Sequence, residues 1–166
     1  MLDDESQQGD FLSRILRHIP GFGGYLDQAE RRENDEKTRN LIAGHLQAGK
    51  KAIDDFSRQL LDSGNVEALP ACERLRSRLE TLIQKVRSGL SGRAEFFRTA
   101  KFDEDFLDEL YEHDLWTLDE SERLAGEIQS MASSKTDAAK VLGDLQERVA
   151  AIESKFQDRQ RMLTGE

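Results

Sequence analysis

The chain has 166 residues, 37 % hydrophobic and 34 % charged, with a formal net charge of −9. That length suits one domain of ordinary size, and that charge disfavours nucleic acid, which needs a basic footprint on the protein. A single cysteine, Cys72, excludes an internal disulfide and a thiolate metal cluster, and no apolar run approaches the roughly 20 residues of a membrane span.

Leu, Ala, Glu, Arg, Gln and Asp dominate, and all but Asp favour helix. Val, Ile and Tyr are scattered, and no stretch alternates in the strand period. An all-α fold is predicted. Residues 1–9, MLDDESQQG, read as a disordered acidic start without a signal-peptide core. The expected location is the cytoplasm, with the inner face of the membrane as the alternative.

The first predicted helix covers about 10–19. Phe11, Leu12, Ile15, Leu16 and Ile19 repeat on one helical face, with Arg14, Arg17 and His18 on the other. Pro20 stops it. Each large apolar side chain left in water forgoes about 1.5–3 kcal/mol, so this face is a candidate docking face. It can cover the rest of the protein, meet a partner chain or lie in a membrane interface. Pro20, Gly21, Gly23 and Gly24 then form a candidate hinge. A phosphate-cradling loop is the competing reading, but no strand precedes the glycines and no Lys-Ser/Thr follows.

The second helix is predicted over about 24–62. Its first part, 28–40, is nearly all polar and reads as a helical arm with little to bury. Glu33–Lys37 and Asp35–Arg39 are spaced for ion pairs along the helix. Its second part carries a heptad seam of Ile42, Leu46, Gly49, Ile53, Phe56 and Leu60. Gly49 on that seam admits another helix closely. The third helix, about 66–90, has the seam Cys72, Leu75, Leu79, Leu82, Val86 and Leu90. Phe96, Phe97 and Phe102 mark an aromatic connection that is expected to plug one end.

The fourth helix, about 103–132, starts at the cap Asp103 and carries Leu107, Leu110, Tyr111, Leu118, Ala125 and Ile128 on one stripe. The fifth, about 136–164, has Thr136 as its expected cap and a seam of Leu142, Leu145, Val149, Ile152, Phe156, Arg159 and Leu163. Long amphipathic segments on short loops imply antiparallel neighbours. Residues 10–166 therefore read as one domain: an elongated antiparallel bundle of about four long helices, in coiled-coil-like hairpins, plus the short N-terminal helix.

Sites are sparse. Residues 103–123 hold ten acids and one base. Asp103, Glu104, Asp105, Asp108, Glu109, Glu112, Asp119, Glu120 and Glu122 form a candidate acidic patch, either a solvated face or a dock for a basic surface. Asp114 and Arg159 both fall on apolar seams and form a candidate buried ion pair; the other reading of Asp114 is a buried acid with a raised pKa. None of the three histidines follows a Glu by three residues, the di-iron spacing. Glu109 and His113 are one i, i+4 pair. No catalytic constellation, cofactor or metal site is expected. The function expected is protein–protein contact or self-association. The alternative is peripheral membrane contact with the 10–19 helix as an interfacial foot.

Three stretches occur in order: IPGFGGYLDQAERREND (19–35), FFRTAKFDEDFLDELYEHD (96–114) and KFQDRQRML (155–163). Together they resemble a family of uncharacterised bacterial all-helical proteins with an Ile-Pro-Gly-aromatic-x-Gly-Tyr start and a Leu-Tyr-x-x-Asp segment. The resemblance implies an all-helical fold and no catalytic residue. A looser similarity to phage-shock-type coiled-coil proteins concerns only the layout, a short amphipathic helix before long helical hairpins.

Overall fold

The computed structural model describes residues 2–89, 101–134 and 137–165, with side chains from residue 9 onward. Among the described residues the protein is all helical. It has α1 (Leu2–His18), α2 (Arg31–Asp62), α3 (Leu69–Ser88), α4 (Glu104–Met131) and α5 (Ala138–Thr164). α2 packs on α3 and α4, α5 also packs on α3 and α4, and α1 lies against α4. The four long helices share one core, with Ile42, Leu46 and Ile53 of α2 facing Leu75, Leu79 and Leu82 of α3, Leu110 and Leu118 of α4, and Leu142, Val149 and Ile152 of α5.

Polar pairs at the core's edge give the directions. Asp54 and Lys50 of α2 meet Arg76 and Glu80 of α3, so these neighbours run oppositely. Glu127 and Glu120 of α4 meet Arg148 of α5, while Asp114 meets Arg159, again an opposed pair. Gly49 of α2 sits where a Cβ would lie 3.2 Å from Ile128 Cδ1 and 3.7 Å from Ala125 Cα, so α4 crosses α2 closely there.

Four boundaries differ from the sequence reading. α1 begins at Leu2 rather than at residue 10. α2 begins at Arg31 rather than near 24. Gly21 and Gly24 take positive φ, and the Asp27 carboxylate accepts from the Ala29 N–H at 2.9 Å, so the chain turns until Glu30. α3 begins at Leu69 because Pro70 fits a first helical turn. The cap of α5 is Asp137, whose side chain accepts from Ala139 N at 3.0 Å. Thr136, the expected cap, lies outside the described residues, as do Leu90, Phe96 and Phe97. Asp103 caps α4, accepting from Phe106 N at 3.0 Å.

The 28–40 stretch is not a free arm. Asn34, Asp35 and Thr38 are at most 2 % exposed. Positions 31, 35 and 38 continue the spacing of 42, 46 and 49, so the α2 seam extends backwards with polar side chains. Arg31 and Thr38 meet Tyr25, and Asp35 meets Arg159 of α5, rather than solvent.

Candidate functional site

The polar seam of α2 ends in an enclosed charged cluster. Asp35 comes from α2, Asp114 from α4 and Arg159 from α5, each placed inward by the heptad phase of its helix. Arg159 Nε donates to Asp114 Oδ1 at 2.5 Å. Its Nη1 lies 2.8 Å from Asp35 Oδ1, an ion-pair contact outside hydrogen-bond alignment. The other Asp35 oxygen accepts from Arg39 Nε at 2.8 Å. Arg39 in turn donates to the carbonyls of Arg87 at 2.7 Å and Val86 at 3.3 Å. Those carbonyls belong to the last turn of α3, where helix oxygens lack intrahelical partners. Two carboxylates and two guanidiniums thus join all four long helices.

Tyr25 completes the cluster from the glycine-rich segment. Its hydroxyl donates to Asp114 Oδ2 at 2.5 Å, accepts from Arg159 Nη2 at 3.2 Å and sits 3.2 Å from Thr38 Oγ1. Its ring stacks on Tyr111, with centroids 5.6 Å apart, and meets Phe22 edge-on at 5.4 Å. Its N–H donates to the Tyr111 hydroxyl at 2.8 Å, and its carbonyl accepts from Arg31 Nε at 2.6 Å. Asn34 Nδ2 holds the Gly24 carbonyl at 2.7 Å. Gly24 has φ +80°, and a Cβ there would lie 2.6 Å from the Tyr111 hydroxyl. Only glycine lets the backbone turn here and pass so close to the ring.

Electrostatics favour one charge state. Burial pushes the Tyr25 phenol well up, and the Asp114 charge adds to it, so the hydroxyl stays protonated as a donor. Burial opposes the charge on Arg159, but Asp114, Asp35 and the Tyr25 partner outweigh it and keep the guanidinium charged. Tyr25, Asp114 and Arg159 are at most 1 % exposed.

The other residues singled out by sequence fall in three places. Ile15 and Ile19 of the N-terminal segment are buried, Phe11 and Leu12 are half-buried against the core, and Leu16 is 43 % exposed. His18 Nε2 sits 3.0 Å from Asp119 Oδ1, and Arg14 lies 4.0 Å from the other oxygen. The apolar face of α1 therefore covers α4. Within the Pro20, Gly21, Gly23 and Gly24 segment and just after it, Phe22 and Tyr25 are buried. The acidic patch divides. Asp119 and Glu122 face His18, and Glu120 meets Arg123 and Arg148. Asp103, Glu104, Asp105, Glu109 and Glu112 remain exposed, and Asp108 is half-buried.

Among the described residues no group of three or more His, Cys, Asp or Glu side chains is placed to hold a metal ion. His113 is buried with no hydrogen-bond partner for Nδ1, and burial, then Lys155, lowers its pKa. His45 Nδ1 lies 3.0 Å from Ser121 Oγ. Cys72 is 1 % exposed, and burial raises its pKa, which suits a small apolar side chain and not a thiolate.

Comparison with protein-family models, with curated proteins and with solved structures finds no match. No helix among the described residues is long and apolar enough to cross a membrane.

Proposed function

We propose that the chain is a non-enzymatic helical scaffold or interaction protein, an elongated antiparallel helical bundle acting in the cytoplasm by protein–protein contact or self-association. The observation that carries this reading is the closure of its richest polar constellation. Tyr25, Asp114 and Arg159 have the residue types of an acid–base site, yet they are at most 1 % exposed and bind one another. A substrate has no route to them, and their contacts join helices instead. Chemistry with the outside then falls to the surface, where Glu104, Asp105, Glu109 and Glu112 line one exposed side of α4. An acidic face of this kind complements a basic protein surface and speeds encounter with it.

Affinity capture from an extract of its own cells, paired with sedimentation over a wide concentration range, tests this reading. A discrete complex or a concentration-dependent mass is expected. A strict monomer with no stoichiometric partner overturns it.

A second reading, peripheral membrane contact through α1, is favoured by Leu16, exposed between Arg14 and Arg17. Full use of that helix requires Ile15 to leave α4 and His18 to leave Asp119. Flotation with anionic liposomes tests it; equal flotation of the intact chain and of one lacking residues 1–20 removes it.

A further inference from the structure

We propose that α1 is a hinged cover, which leaves α4 as one body about the Pro20–Gly21 turn while the segment from Phe22 onward stays anchored in the core.

Three observations place the boundary between what moves and what stays. The first is the seat. Each of α2 to α5 packs against two of the other long helices, whereas α1 is seated on α4. The polar ties across that seat stand partly in water. His18 meets Asp119 and Glu122, and Arg14 lies 4.0 Å from Asp119, with side chains from 19 to 62 % exposed. Solvent screens ties of this kind. The second is the joint. Phe22 N–H donates to the Ile19 carbonyl at 3.1 Å, closing a β-turn with Pro20 and Gly21 at its centre. Both are exposed, Gly21 has φ +79°, and nothing lies within 4 Å of its Cβ position. A change of backbone angles at this turn meets no neighbour. The third is the anchor immediately beyond. Phe22 and Tyr25 are at most 3 % exposed, and Tyr25 is held through its N–H, its carbonyl and its hydroxyl.

Leaving α4 bares Ile15 and Ile19 and lifts Leu12, whose Cδ2 lies 3.1 Å from the Cβ position of Gly24. The closed form is therefore the resting one, and opening presents an apolar helix face that the closed form withholds. Opening costs less than global unfolding, because the core of the four long helices and the Tyr25 cluster stay formed.

Native-state hydrogen exchange of the intact protein in rising urea, read amide by amide, tests the proposal. Amides of Ser13 to Ile19 should share one opening. It should be at least about a hundredfold easier than that of Leu46, Leu79, Leu118 and Ile152, and less sensitive to urea. The Tyr25 amide should exchange with the core set. Ile15→Ala, which loosens the seat, should speed the α1 amides about tenfold or more. Tyr25→Phe should speed the core amides and leave those of α1 unchanged, because the anchor is formed whether α1 is closed or open. Protection that rises steadily along α1 is fraying of a chain end and overturns the proposal. Exchange of α1 only by global unfolding also overturns it. So does a Tyr25→Phe variant whose α1 amides speed up with the core, since the Tyr25 segment then leaves together with α1.

Discussion

The Tyr25 hydroxyl donates to the Asp114 carboxylate at 2.5 Å across 89 residues of chain, with neither side chain more than 0 % exposed. That one bond fixes the glycine-rich segment against α4, and Arg159 extends the tie to α5. Tyr25→Phe keeps the ring stack on Tyr111 and removes only the hydroxyl. It leaves Asp114 Oδ2 short of its best donor, so stability should fall by about 1–3 kcal/mol. Urea unfolding of the two proteins checks it, and an unchanged midpoint counts against the bond.

Arg159 is the only cation that touches both Asp35 and Asp114 among the described residues. Arg159→Met leaves Asp114 buried without a cation and takes from Asp35 one of its two, and should cost about 3–5 kcal/mol. Arg159→Lys should recover little of that loss, because one ammonium cannot span the Asp35 and Asp114 oxygens as a planar fork does. Thermal melts of both variants give the order directly.

Glycines divide by environment. Gly24→Ala should cost more than the about 1–2 kcal/mol of its left-handed backbone, since the added Cβ lies 2.6 Å from a Tyr111 hydroxyl held by Tyr25 N–H. Gly21→Ala has the same backbone penalty and open space, so it should be milder. Gly44→Ala and Gly126→Ala lie within helices with nothing within 4 Å, and each should stabilise by up to about 1 kcal/mol. Chemical denaturation of the four variants checks the signs.

Burial lowers the pKa of His45 and His113 in the folded protein. A base with a depressed folded pKa contributes stability that is full above its unfolded value and is lost as pH falls through it, because the unfolded chain then binds more protons. Stability should therefore decline as pH drops through about 6.5, the ordinary imidazole value. His113→Asn should flatten that decline between neutral and mildly acidic pH, before carboxylates titrate. Unfolding curves across that range settle it, and an unaltered slope counts against a role for His113.

Much of the helical content was legible in the sequence, since apolar side chains at 42, 46, 53, 56 and 60, and their counterparts on the other long helices, repeat in heptads. The inward phase of Asp114 and Arg159 was legible the same way, because each interrupts an apolar stripe. Their partners were harder to find. Asp35 and Thr38 lie in a run so polar that it reads as solvated, although their spacing continues the α2 seam; extending the seam into polar residues was the available signal. Tyr25 had no periodic signal, because it sits in a turn and reaches its partners by tertiary contact alone. The turn's glycines were legible, but the burial of Phe22 and Tyr25 beside them was not. The start of α1 was not legible, because the first nine residues carry no apolar repeat.

In the proposed function the buried cluster holds the helices together while the surface makes the contacts. Quantitative capture from an extract of the protein's own cells tests it most directly, with wild type, Tyr25→Phe and an α4 variant carrying Lys at 104, 105, 109 and 112. The account predicts a stoichiometric partner that Tyr25→Phe retains and that a surface variant loses. A partner lost with the Tyr25 hydroxyl in a protein that remains folded, or no partner for a chain that stays monomeric, contradicts it.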